Sequence, residues 1–259
     1  MPKKKDPKNR SFPITYLLPN IVTLAGLCAG LTAIRYAMSD RWELAVGLLV
    51  IAAIIDGMDG RLARMLDATS TFGAELDSLA DFVSFGVAPA MVAYMWVLHD
   101  IKGLGWMLAL FYVVCCALRL ARFNSRIFDG PKNEQERIKS DHYFSGVAAP
   151  CGAMIALLPI VVHFELGSVW GMRESVLYAV WLPFVALLMA STLPTVSLKK
   201  FKIKPAQAAP IMLLAGAWIA GMIMETWKTF ILTSVIYLAL IPVSIWNYRR
   251  EVKEAESKG

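Results

Sequence analysis

Four of the five aspartates in one 26-residue stretch, DGMDGRLARMLDATSTFGAELDSLAD from Asp56 to Asp81, form two close pairs. Asp56 and Asp59 are three apart and Asp77 and Asp81 four apart; on a helix either spacing sets both side chains on one face. If the two helices are antiparallel neighbours, both faces meet at one depth. Carboxylates gathered so closely repel one another, and near a lipid boundary each is expensive on its own, so a cation is nearly required. The donors are hard oxygens with no His or Cys interleaved, which favours Mg2+ or Mn2+, with Ca2+ also suited, over zinc. Four carboxylates can bridge two such ions about 3.5–4 Å apart.

The residues between the acids extend the pattern. At about 100° per residue, Gly60 and Ala63 lie on the Asp56 side of their helix with Arg64 beside them, and Gly73 precedes Asp77 by one turn. Small residues let a flat group approach the backbone, and a guanidinium fork matches phosphate. A cation, a shallow groove and an Arg are what a pyrophosphate diester requires. Acids that merely cap helices or pair in loops would account for one Asp pair, but not for four in the company of these small residues.

The elements that must hold this stretch are apolar. The chain of 259 residues is 57% hydrophobic, with a mean hydropathy of +0.54, more than a soluble protein of this length carries. A helix needs about 20 apolar residues to cross a bilayer. Eight segments approach that: roughly 17–38, 44–64, 79–98, 104–124, 145–164, 175–193, 208–224 and 229–247. The expected fold is all-α, a polytopic membrane bundle of about eight transmembrane helices whose short connections make neighbours antiparallel. The whole chain, 1–259, reads as a single transmembrane catalytic domain, with a basic terminus over 1–14 and a charged, frayed tail over 249–259. Its basic start leads into an apolar run long enough to span, which is expected to be a retained first helix rather than a cleaved leader.

Twenty-one of the 26 Lys and Arg residues fall on the side that holds both termini in an eight-helix arrangement; the other five are Arg35, Arg41, Lys102, Arg173 and Lys228. That bias puts both termini in the cytoplasm. The net charge of +6 comes from short basic clusters between apolar runs, a placement that suits a membrane surface and anionic substrates rather than nucleic acid. The Lys199–Lys204 run marks topology. The polar connection 125–144 reads either as solvated chain or as a loop over the site. Cys28, Cys115, Cys116 and Cys151 lie in apolar stretches and read as reduced core residues, and His99, His142 and His163 lack partner spacing for metal or nucleophilic work.

The pattern Asp56-x-x-Asp59-Gly60-x-x-Ala63-Arg64, eight further residues, then Gly73-x-x-x-Asp77-x-x-x-Asp81 resembles the signature of the CDP-alcohol phosphotransferases at every position. The resemblance implies that Asp56, Asp59 and Asp77 bind divalent metal with Asp81 close to it. It implies that Asp56, Asp59, Gly60, Ala63, Arg64, Gly73 and Asp77 hold the CDP moiety, and that Asp81 is the base that activates the acceptor hydroxyl. It further implies a homodimer in the cell membrane with its site open to the cytoplasmic leaflet. No Cys, Ser or His nucleophile stands in the signature, so direct displacement is expected over a covalent phosphatidyl-enzyme.

Over about residues 15–155, the stretches LPNIVTLAG (18–26), FVSFGVAPA (82–90), RLARFNS (119–125) and FSGVAAP (144–150) are similar to the phosphatidylserine synthase branch, although that branch usually has Leu-Pro where Val147-Ala148 stands. This implies transfer of a phosphatidyl group from CDP-diacylglycerol to L-serine. Arg119 and Arg122 either hold the serine carboxylate or lipid phosphate, or anchor the helix end. Ser84 either touches serine or packs a helix. Asn20 and Thr23 either contact the nucleotide or shape the start of the first helix. Gly26 and Gly30 form a GxxxG that reads as a close helix contact. Within the class the acceptor alternatives are glycerol phosphate, inositol phosphate or choline, or the lipid an archaeal ether; outside it, the acids could serve a divalent-cation transporter.

Overall fold

The computed structural model describes residues 17–68, 70–129, 143–167, 174–196 and 205–256. Among these, eight long helices coincide with the eight apolar segments: α1 (Leu18–Ala37), α2 (Trp42–Met65), α3 (Thr71–Trp96), α4 (Lys102–Asp129), α5 (Ala149–Leu166), α6 (Glu174–Ala190), α7 (Pro205–Met224) and α8 (Thr226–Glu256). Of these, α1, α3, α4, α5 and α8 are long and apolar enough to cross a membrane. The apolar parts of α6 and α7 are shorter, and α2 carries the first acid pair together with Arg61 and Arg64. Tight turns join the first helices, with Asp40 and Asp67 in the left-handed region at φ 55° and 49°. Short turns of this kind send each helix back alongside the last, and α1 packs against both α2 and α3.

The helix boundaries depart from hydropathy where helices run past their apolar stretch. α3 begins at Thr71, eight residues before the expected 79, because its first turns (TFGAELD) are polar yet well capped: Ser70 Oγ accepts the Gly73 N–H at 3.0 Å. α4 continues to Asp129, and α8 to Glu256 through RREVKEAE, a run of strong helix formers, so most of the expected frayed tail is helical. α5 starts later than expected, at Ala149, because Tyr143–Ser145 (β1) pairs antiparallel with Pro194–Val196 (β2), Tyr143 opposite Val196. Gly146 turns the chain out of that ribbon at φ 75°, where a Cβ would stand 2.6 Å from the Met189 carbonyl. Segment 1–14, most of the 125–144 connection, Lys199–Lys204 and His142 lie outside the described residues.

α3 is not one continuous α-helix. Thr71–Asp81 and Ala88–Trp96 are α-helical, and Phe82–Val87 between them forms a π turn in which the Ala88 N–H reaches back to the Val83 carbonyl. The GxxxG of α1 lies against this region: a Cβ at Gly26 would stand 3.3 Å from Ile55 Cγ2 on α2, and one at Gly30 only 2.6 Å from Ser84 Oγ on α3. The glycines therefore seat α1 between α2 and α3, a contact within the chain.

Edge-on aromatic contacts tie the helix ends remote from the acids: Trp42 with Trp96, Trp96 with His163 and Phe164, and Phe164 with Trp227. Trp42 and Trp227 begin α2 and α8, while Trp96 and Phe164 close α3 and α5, so these helices alternate in direction and the described chain ends lie at the acid end. Lys228 pairs there with Glu165 and Glu225 at 3.4 and 3.0 Å. The four cysteines are free thiols.

Candidate active site

α2 and α3 deliver the acids from opposite directions. One oxygen each from Asp56, Asp59 and Asp77 lies within 4.8 Å of the others, with Asp59 buried and the other two half-buried. Asp81, one turn beyond Asp77, lies beside the Asp56 carboxyl across the helix pair. Carboxyl groups this close need countercharge among them, and the hard, oxygen-only donor set fits a divalent cation.

Asp59 is held from two sides. Thr23 on α1 donates to Asp59 Oδ2 at 2.8 Å, and the Gly60 N–H reaches Asp59 Oδ1 at 2.6 Å. Ser78 Oγ hydrogen-bonds Asn124 Oδ1 on α4 at 3.1 Å, fastening the acid-bearing half of α3 from the other side. A water-sized hollow lies beneath the acids, lined among others by Thr23, Asp56, Asp59, Asp77, Asp81 and Ser84.

A larger cavity of about 260 Å³ opens beside the acids, lined by Pro19, Asn20, Thr23, Asp59, Gly60, Ala63, Arg64, Gly73 and Asp77, with Ala68, Ser70 and Ala74 completing its wall. Gly60 faces open space, with nothing within 4 Å of where its Cβ would be. Glycine inside a helix costs about 1 kcal/mol relative to alanine, so a Gly that packs against nothing calls for another reason. Gly73 differs: a Cβ there would meet Asn20 Oδ1 at 3.0 Å, so this glycine admits the Asn20 side chain. Arg64 lies exposed along the rim, its Nε donating to the Gly60 carbonyl at 3.0 Å. The N-terminal turn of α3 contributes Ser70 and Gly73 to the same wall, the end of a helix that favours anions.

The remaining candidates separate. Arg119 interacts electrostatically with Asp56 and Asp81, and its buried Nε has no hydrogen-bond acceptor among the described residues. Arg122 is committed elsewhere: its Nη1 donates to the Ala190 carbonyl at 2.7 Å, capping the end of α6. Ser84 is buried, its hydroxyl 3.5 Å from the Gly26 carbonyl, so it packs α3 on α1. Thr23 serves Asp59, and Asn20 lies in the cavity wall. Asn124 and Ser78 were not anticipated; Asn124 lies in the RLARFNS stretch beside the two arginines, but only the tertiary fold pairs it with Ser78. The described histidines, His99 and His163, lie at the aromatic end, away from the acids.

Comparison with known proteins gives consistent matches. The family model described as CDP-alcohol phosphatidyltransferase matches residues 16–252. The chain is 35% identical over 243 residues to the CDP-diacylglycerol–serine O-phosphatidyltransferase of Mycobacterium leprae (strain TN), which covers 94% of this chain and 79% of that protein. It is 35% identical over 243 residues to the protein of the same name from Mycobacterium tuberculosis (strain ATCC 25618 / H37Rv), covering 94% and 83%. The Helicobacter pylori (strain ATCC 700392 / 26695) protein of that name is 35% identical over 188 residues, covering 72% of this chain and 75% of that one.

Proposed function

The chain belongs to the CDP-alcohol phosphatidyltransferase family and is an integral membrane enzyme, and from that premise we propose that it moves the phosphatidyl group of CDP-diacylglycerol to L-serine, releasing CMP. The observation that carries this reading is the acid cluster of Asp56, Asp59 and Asp77 beside a cavity walled by Gly60, Ala63, Arg64 and Gly73.

The donor lies with its acyl chains in the bilayer and its cytidine diphosphate in the cavity. Gly60 keeps the helix surface low, Arg64 offers its guanidinium to phosphate, and the α3 N-terminus adds a favourable dipole. Asp56, Asp59 and Asp77, with Asp81 near, are the residues that would hold one or two divalent cations, Mg2+ or Mn2+. A cation bound there would offset the diphosphate charge and stabilise the departing CMP. Asp81 takes the proton of the serine hydroxyl as that oxygen attacks the lipid-side phosphorus; the bond from this phosphorus to the CMP oxygen breaks in line. Arg119 receives the serine carboxylate, since its Nε is buried and free of other acceptors among the described residues. The lysines and arginines at the acid end support a cytoplasmic site in the cell membrane. The homodimer implied by the family resemblance belongs to the same reading, and light scattering on the detergent-solubilised protein tests it.

The decisive experiment gives purified protein CDP-diacylglycerol with Mn2+ or Mg2+ and a panel of alcohols. CMP release is expected with L-serine and is abolished by chelation. Release with glycerol phosphate or inositol phosphate instead would reassign the acceptor, and none with any alcohol would favour cation transport.

A further inference from the structure

We infer that Tyr112 is a positioning residue for the reaction: it holds the π turn of α3 and so sets the rotation of the helix half that carries Asp77 and Asp81. The inference rests on the assignment of those acids to the cation and catalytic set. Asp81 is the last α-helical residue before the turn Phe82–Val87. A π turn adds one residue to the helix and loosens its carbonyls. One of those carbonyls, Phe85, receives the Tyr112 hydroxyl at 3.0 Å, and Tyr112 is completely buried on α4.

The turn is gripped on both sides. α1 reaches it through Gly30, which lies against Ser84, and α4 reaches it through Cys116 as well, whose Sγ would stand 3.1 Å from a Cβ on Gly86. Beyond the turn, Ala88, Ala90, Val92 and Ala93 are fixed in the core. With that half immobile, loss of the extra residue would swing the acid-bearing half by about 100° and shift it about 1.5 Å along its axis. Asp77 would leave Asp56 and Asp59, and Asp81 would leave Asp56. The bulge is therefore the element that phases a core-facing half against a site-facing half, and Tyr112 is its side-chain latch.

A matched control exists. Tyr178 is equally buried and donates to a backbone carbonyl, that of Ala156, at 3.1 Å, away from the acids. Tyr112→Phe and Tyr178→Phe each remove one such hydroxyl, so a purely structural role predicts equal effects. We expect both to lower Tm slightly, but only Tyr112→Phe to lower kcat, by about tenfold or more, with KM for CDP-diacylglycerol within about threefold of wild type. Mn2+ affinity, read by electron paramagnetic resonance, should weaken in Tyr112→Phe alone. Equal kcat and equal Mn2+ affinity in the two variants overturn the inference. If Tyr112→Phe does not purify folded, Gly86→Ala presses the turn from the Cys116 side; the same selective loss supports the inference and unchanged kcat and Mn2+ affinity overturn it. Wild-type protein inactive with every alcohol would sink the underlying functional reading instead, while the Mn2+ comparison still judges Tyr112.

Discussion

Thr23 on α1 donates its hydroxyl to Asp59 on α2 at 2.8 Å, although 36 residues separate them in sequence. With the Gly60 N–H on the other oxygen, the bond fixes the orientation of the carboxylate, which is how a neighbour tunes a metal ligand without touching the metal. Replacing Thr23 by Val keeps the shape and removes the bond. Mn2+ affinity should fall by about 10–100-fold, measured by titration of the purified variant. An unchanged affinity would mean that Asp59 is aimed by the helix alone.

Asp81 carries the proton transfer in the proposed reaction. Asp81→Asn should lower kcat by about 10²–10⁴-fold while binding of CDP-diacylglycerol, followed by calorimetry in the presence of Mn2+, stays within a few-fold. Loss of donor binding along with turnover would move Asp81 into the cation set.

Gly60 offers a case where stability and activity should part. Nothing lies within 4 Å of its missing Cβ, so Gly60→Ala should stabilise α2 by about 1 kcal/mol, seen as a higher Tm. The same methyl intrudes on the cavity proposed for the donor and should raise KM for CDP-diacylglycerol, with Gly60→Leu raising it further. A Tm gain without any change in KM would remove Gly60 from the donor wall.

The two arginines of α4 should respond oppositely. Arg122→Gln loses a charged hydrogen bond to Ala190, worth about 1.5–3 kcal/mol, and should lower Tm while leaving KM for serine unchanged. Arg119→Gln should instead raise KM for serine by about tenfold or more, the kinetic counterpart of losing one charged hydrogen bond to substrate. Reversed outcomes would exchange their roles.

The acid spacing, the small residues and the apolar periodicity were legible because they are local: three- and four-residue offsets on a helix decide which side chains share a face. Hydropathy located all eight helices but missed where α3 begins, since TFGAELD is helical for reasons of capping rather than apolarity. The π turn was invisible, because FVSFGV has nothing in its composition that marks an extra residue; its contacts come from α1 and α4, which are distant in sequence. Arg119 and Arg122 looked equivalent in sequence. Their separation depends on where α6 ends, a fact of tertiary structure.

Among the described residues, the cavity proposed for the donor is walled by positions 19 to 77, and Asp81 follows within a few residues, whereas Tyr112, Arg119 and Asn124 all come from α4. During synthesis the acids therefore enter the bilayer before the helix that latches them has been made. A chain halted after Trp96 would possess all four acids yet lack their brace. The acids and the cavity beside them, and the helix that braces them, are thus written into successive portions of the polypeptide, and a ribosome delivers them in that order.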